Sequence, residues 1–253
     1  MIPNTGTNAH YGYYDKVKAL WPHRILEKAE DWMIYIALFF NLMDIVFPQK
    51  TMMATLFIVN FIFYVPKFYR YFSRYGIDLP AYIAQASQFA DGQTNYDKIG
   101  SVQGGCMYPA GHLWHYVPVW WMFLMTDKAE YIWKGVHMIL HILIQYFIGK
   151  ISYSYFRDRR NRAQMICFSM MLNERLRRFN CAMYNDSLMI FYLIFAVYLI
   201  VVHRMPKLAS FFITISISLK VGALLILPSF LGIVQYQYGI YNLLAVISII
   251  VSV

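Results

Sequence analysis

The sequence predicts an all-α, polytopic integral membrane protein, and three observations carry that expectation. Of its 253 residues, 59% are hydrophobic and only 14% are charged, where a soluble domain carries about 25% charge. Apolar runs recur from Ile34 to Val253 with short charged connections between them. In hydrocarbon every backbone N–H and C=O must be satisfied inside the segment, so such runs are read as spanning helices. The formal net charge of +9 comes from Lys and Arg in those connections, where they set topology or meet anionic headgroups. The lipid bilayer is therefore the expected partner, and no nucleic acid is expected.

Residues 1–31 are polar and hold Lys16, Lys18, Arg24 and Lys28. They lack the compact apolar core of a cleaved signal and read as a cytosolic N-terminal tail. Residues 32–253 then form the transmembrane domain. A run over 32–47 is short for a bilayer and contains Asp44, whereas 52–69 approaches the ~20 residues a crossing needs. Two crossings would return the following loop to the side of the tail and one would place it opposite; the sequence leaves that open. Residues 72–112 are the longest polar stretch, punctuated by Gly76, Gly92, Gly100, Gly104, Gly105 and Gly111, and loops of that length are usually functional. Later spans are expected over 113–125, 131–151, 163–171, 187–203, 208–231 with Lys220 inside, and 243–253. The last stops within an apolar run, so the domain is expected to be incomplete at its C-terminus. Cys106, Cys167 and Cys181 are odd in number and have no metal-type spacing, which argues against a disulfide framework.

Several residues bear on chemistry. Asp78 stands in Ile77-Asp78-Leu79-Pro80-Ala81-Tyr82, where it reads as a turn or N-cap residue by its neighbours, or as a carboxylate available for proton transfer. Asp91 beside Gly92, and Asp97 near Asn95, read as turn residues. Lys220 lies within an apolar run, where an ionisable group is costly and marks a functional position unless it snorkels to an interface. Arg157, Arg159, Arg160 and Arg162 read as a solvated connection. The pairs His112/His115 and His137/His141 share helix faces, yet no carboxylates accompany them in sequence and no Asp-x-Asp occurs, so no metal and no cofactor is expected. Trp114, Tyr116, Trp120, Trp121 and Phe123 form either an interfacial belt or a wall for sugar or lipid. Asn185-Asp186-Ser187 fits a glycosylation acceptor but abuts an apolar run.

Three stretches in order carry a resemblance. They are the Asp78–Tyr82 stretch leading to Tyr108-Pro109-Ala110-Gly111-His112; Glu174-Arg175-Leu176 followed by Tyr184-Asn185-Asp186; and Ser216-Ile217-Ser218-Leu219-Lys220 with Ala223-Leu224-Leu225 and Pro228. Together they resemble the dolichyl-phosphate-mannose-dependent α-1,3-mannosyltransferases that extend lipid-linked oligosaccharides. The resemblance departs at Gly76, Ala182 and Gly222, where that family has an acidic residue, an Arg and an Asn. It implies a GT-C-like multi-helix bundle with a large first lumenal loop at about 72–112, in the endoplasmic reticulum membrane. It implies dolichyl phosphate mannose and dolichol-linked Man5GlcNAc2 as substrates in N-glycan precursor assembly, with inversion at the anomeric carbon. Asp78 would be the catalytic base, and Tyr82, Tyr108, His112, Arg175, Asn185, Asp186 and Lys220 would bind substrate. Two other classes stay open: a channel or transporter, suggested by Lys220 and Asp44 in apolar runs, and a catalytically inactive relative.

Overall fold

The computed structural model describes residues 78–158, 160–171 and 182–252, with Ile58 before them. All belong to the second of two compact units, Met53–Val253, the first being Met1–Met52. The tail over 1–31, the expected spans over 32–47 and 52–69, and Arg175 thus lie outside the described residues.

The polar stretch before residue 112 is less loop-like than its composition suggests. It opens with helix α1, Asp78–Ala90, whose first turn carries the acidic residue that a helix N-terminus favours. The face bearing Leu79, Tyr82, Ile83 and Ala86 is buried. Gly92, at φ 92°, ends the helix in a left-handed cap, with Gln93 N–H donating to the Gln88 carbonyl at 3.0 Å. A 3₁₀ turn at Tyr96–Lys98 leads to a two-residue hairpin, β1 Gly100–Ser101 and β2 Gly104–Gly105. The Gln88 side-chain amide docks this hairpin on α1 as a strand would. Its Nε2 donates to the Gly100 carbonyl at 2.7 Å and its Oε1 accepts from Gly100 N–H at 3.0 Å.

Helix α2, Ala110–Met125, follows Pro109 and buries His112, Leu113, Tyr116 and Val119 along one stripe. It starts earlier than the expected 113–125, taking in Gly111 and His112. Helix α3, Ala129–Tyr155, is 27 residues long and apolar enough to cross a membrane. Its polar side is turned into the protein. Lys134, His137, His141 and Gln145 are buried; Lys134 pairs with Glu130 at 3.0 Å, and Gln145 Nε2 donates to His141 Nε2 at 2.6 Å. The histidine pair at this spacing is packed, and among the described residues no group of three His, Cys, Asp or Glu is placed to hold a metal. Helix α4 covers Arg160–Met171.

Helices α5, Asp186–Val201, and α6, Pro206–Leu219, form an antiparallel hairpin. Arg204 takes a left-handed φ of 57° in its turn, and Pro206 begins α6, where its missing N–H costs nothing. Ser216 Oγ donates to the Met189 carbonyl at 2.8 Å, tying the two together near Asp186.

The expected continuous span over 208–231 is corrected here. Lys220 is extended, at φ −155° and ψ 125°, and closes α6. A 3₁₀ segment, Val221–Ile226, follows, and then helix α7, Leu227–Ser252. Pro228 accounts for the restart: in a continuous helix its ring would collide with the carbonyl of Leu224. Lys220 is thus at a helix end rather than inside an apolar helix, which removes one of the two features that suggested a channel; Asp44, the other, lies outside the described residues.

Although Val221–Ser252 is long and apolar enough to cross as one piece, Gly239 breaks it at φ 80° and ψ 174°. The Tyr238 hydroxyl donates to the Ile200 carbonyl at 2.9 Å, and Asn242 Nδ2 donates to the Tyr238 carbonyl at 2.8 Å. Residue 238 therefore sits beside the C-terminal end of α5, while Lys220 sits beside its start. Between them, six 3₁₀ residues at ~2.0 Å and twelve α residues at ~1.5 Å give about 30 Å, the thickness of a hydrocarbon core. The described residues are those of a mostly helical membrane protein.

Candidate functional site

Four elements meet where α1, α2 and α5 begin and α6 ends. Tyr82 stands one turn after Asp78 on α1. Its hydroxyl lies 3.4 Å from the Tyr108 hydroxyl and donates to Asn185 Oδ1 at 3.4 Å. The other end of the Asn185 amide lies 3.3 Å from His112 Nδ1. With Oδ1 accepting from Tyr82, Nδ2 is the donor, and a nitrogen that accepts carries no proton. His112 is thereby fixed as the Nε2–H tautomer. Its ring stacks on Tyr108 at 4.4 Å and meets Tyr82 and Tyr116, each at 4.7 Å. His112 Nε2 and the Tyr116 hydroxyl are buried and find no hydrogen-bond partner among the described residues.

His115, one turn on, takes the opposite tautomer. Nδ1 lies 2.6 Å from the Gly111 carbonyl, which only accepts, so Nδ1 holds the proton and Nε2 accepts from the Tyr192 hydroxyl at 3.2 Å. The two histidines thus share a face, as their spacing implied, and both read α5.

The burial of these groups divides them. Tyr82 is 3% exposed, and His112, Tyr116 and Asn185 are 0% exposed; this also closes the Asn185 sequon to modification in the folded chain. Asp78, Tyr108, Asp186 and Lys220 form the accessible rim. Burial foremost, then the Tyr108 hydroxyl and the neighbouring charges, Asp78 among them, push the Tyr82 phenol well above its ordinary pKa, so it is a neutral donor. Lys220 Nζ reaches Asp186 Oδ1 at 2.6 Å, with side chains 35% and 19% exposed. Asp186 opens α5, where the helix dipole favours its charge.

Gly111 sets the crossing of α2 and α6. A Cβ there would lie 2.7 Å from Ser218 Cβ and 2.8 Å from its carbonyl oxygen, closer than atoms of those types approach. This contact joins the Tyr-Pro-Ala-Gly-His stretch to the helix end that carries Lys220.

Seven of the eight singled-out residues are thus assembled at one end of the helices, and the eighth, Arg175, lies outside the described residues. Asp91 and Asp97 are exposed, and Asn95 Oδ1 accepts from Asp97 N–H at 3.0 Å, a turn arrangement. Asp91 follows the far end of α1, about 20 Å from Asp78 along the axis, beside a shallow open pocket lined by Gln88, Gly92, Gln93 and Lys98. The sequence places Tyr116 in an aromatic run that reads as an interfacial belt or as a wall for sugar or lipid, not in a cluster with His112. Its i, i+4 spacing from His112 was the available signal for a place in the ring cluster.

The sequence over residues 49–253 matches the family described as ALG3 protein. This chain belongs to the ALG3 protein family. Among curated relatives, a protein of Dictyostelium discoideum, named probable Dol-P-Man:Man(5)GlcNAc(2)-PP-Dol alpha-1,3-mannosyltransferase, is 25% identical over 197 residues, covering 66% of this chain and 43% of its own. A Cryptococcus neoformans var. neoformans protein with the same name, without "probable", is 26% identical over 183 residues, covering 69% of this chain and 40% of its own. The chain thus spans about two-fifths of the length of the curated relatives it matches. No solved structure matches it.

Proposed function

We propose that this ALG3-family chain carries the donor-phosphate and acceptor-hydroxyl site of a mannosyltransferase of the endoplasmic reticulum membrane. The reaction moves mannose from dolichyl phosphate mannose to the 3-hydroxyl of a mannose on dolichol-linked Man5GlcNAc2. Residues 32–253 belong to a GT-C-like transmembrane domain in this reading, with 1–31 cytosolic and the loop over 72–112 lumenal. The observation that carries it is the convergence of Asp78, Tyr108, Asp186 and Lys220 on one rim, above a buried lattice of Tyr82, His112 and Asn185.

The chemistry needs a base and a home for a leaving phosphate. The Asp78 carboxylate takes the proton of the acceptor hydroxyl as its oxygen bonds to the anomeric carbon from the face opposite the phosphate. The bond from that carbon to the phosphate oxygen breaks, and its electron pair leaves with dolichyl phosphate. Phosphate needs no protonation to depart, so one carboxylate suffices where an inverting glycosidase uses two. Lys220, held by Asp186, meets the phosphate charge, and Arg175 is proposed as a second cation there. Tyr82, His112 and Asn185 act by holding Tyr108 and the helix starts in register.

The test compares Asp78→Asn with Asp91→Asn and Asp97→Asn, in mannosyl transfer from dolichyl phosphate mannose. Loss of a general base costs ~10²- to 10⁴-fold in rate, so Asp78→Asn is expected to fall by that factor with insertion and donor binding kept. The two turn residues tolerate an amide. Near wild-type transfer by Asp78→Asn, with loss in either other variant, overturns the assignment of the base.

A further inference from the structure

We infer that the outer face of the segment running from Lys220 to Gly239 is a binding track for the chain of a single-chain polyprenyl phosphate, with the phosphate at Lys220 and the first isoprene units on Val221, Leu224 and Leu225. The inference rests on the reading of Lys220 as a phosphate contact and extends it to the lipid.

Three features lead there. Lys220 gives one bond to Asp186 and remains 35% exposed, which leaves ammonium N–H groups free for an anion. Directly after it the 3₁₀ segment turns its apolar side chains outward: Val221 is 54% exposed, Leu224 42% and Leu225 86%, with Ala223 alone facing the protein. Below them Ile233 and Tyr236 are exposed as well, with Ser229, Gln235 and Gln237 exposed among them, down a segment about as long as the hydrocarbon core is thick. A cation directly followed by an outward apolar patch, on a face that stays open and largely apolar below it, suits an amphiphile with one anionic head and one long chain. Charge selects the head, and burial of methyl-branched hydrocarbon holds the chain.

The break in α6 makes this geometry. Had 208–231 been one helix, Lys220 would point from the middle of a crossing and the apolar face would run past it in both directions. Because α6 stops at Leu219 and Lys220 is extended, the cation is the first residue of the return crossing, and head and chain sites follow one another in sequence.

The experiment uses a mannose-free polyprenyl phosphate with a diazirine in its phosphate-proximal unit, photolysed with the whole chain in nanodiscs and mapped by mass spectrometry. Label is expected within 221–226, to be competed by dolichyl phosphate and not by phosphatidic acid. Gly222→Trp is the main variant, because a Cβ at Gly222 meets nothing within 4 Å, so a side chain has room to leave the backbone beside Val221 and Leu224. It is expected to cut labelling by about tenfold, a loss of ~1.4 kcal/mol of affinity, with thermal unfolding unchanged. If Lys220→Met abolishes labelling but Gly222→Trp does not, or the label falls outside 221–226, the track is wrong and the phosphate contact stands. Labelling undiminished by Lys220→Met overturns the phosphate reading itself. Equal competition by phosphatidic acid reduces the site to a general anionic-lipid contact and overturns the proposal.

Discussion

Replacing Gly111 by Ala isolates the crossing on which the site is built. The added Cβ would stand 2.8 Å from the Ser218 carbonyl oxygen and 2.7 Å from Ser218 Cβ. The Ser218 hydroxyl can rotate away, but the carbonyl and Cβ belong to α6 itself. Relief therefore requires α2 and α6 to part by several tenths of an ångström along the seam that holds His112 beside Asn185. Overpacking of this kind costs ~1–3 kcal/mol. At ~2–4 °C per kcal/mol for a chain of this size, a fall of roughly 2–12 °C in the unfolding midpoint in detergent is expected. The control is Gly135→Ala in α3, where an added Cβ meets nothing within 4 Å; better helix propensity there predicts no loss, or a gain of ~0.5–1 kcal/mol. Mannosyl transfer should fall further in Gly111→Ala than unfolding alone explains, since Lys220 lies two residues beyond Ser218. An unchanged midpoint in Gly111→Ala beside a lowered one in Gly135→Ala would refute the helix-crossing argument.

Other outcomes follow from the same geometry. Asn185→Asp removes the donor to His112 Nδ1 and buries a charge among rings, and is expected to destabilise by ~1–3 kcal/mol, read as a lowered unfolding midpoint; Asn185→Gln, which keeps both functions at a shifted position, should lose less. Mannosyl transfer is expected to persist in EDTA, because the sequence has no Asp-x-Asp and transfer from a lipid monophosphate releases no diphosphate; complete loss restored by a divalent cation counts against the lipid-phosphate donor. An acceptor sequon engineered at Gln93, in the exposed turn after α1, is expected to be glycosylated in microsomes; modification of a sequon in the 1–31 tail instead reverses the proposed sidedness.

The helical class was legible because hydropathy is a property of whole runs, and shifting a boundary by two or three residues does not alter it. The site was legible differently, through three short stretches matched in order, and their residues do meet: Tyr82 with Asn185 across 103 positions and Lys220 with Asp186 across 34. Position in space was not legible. Nothing in the sequence says that Gln88 would serve as a strand partner to Gly100, since that role depends on where the hairpin folds back. Lys220 was misplaced for a related reason. Hydropathy averages over a window, and an extended residue between two apolar segments leaves no trace in the average. The backbone signal was nonetheless present in Gly222 and in Pro228, whose ring forbids a helix continuous with Leu224. A proline about two turns after an intramembrane cation should therefore be read first as the start of a new helix. The cation is then expected at a helix end, near the headgroups, where a charge costs less and an anionic substrate can reach it.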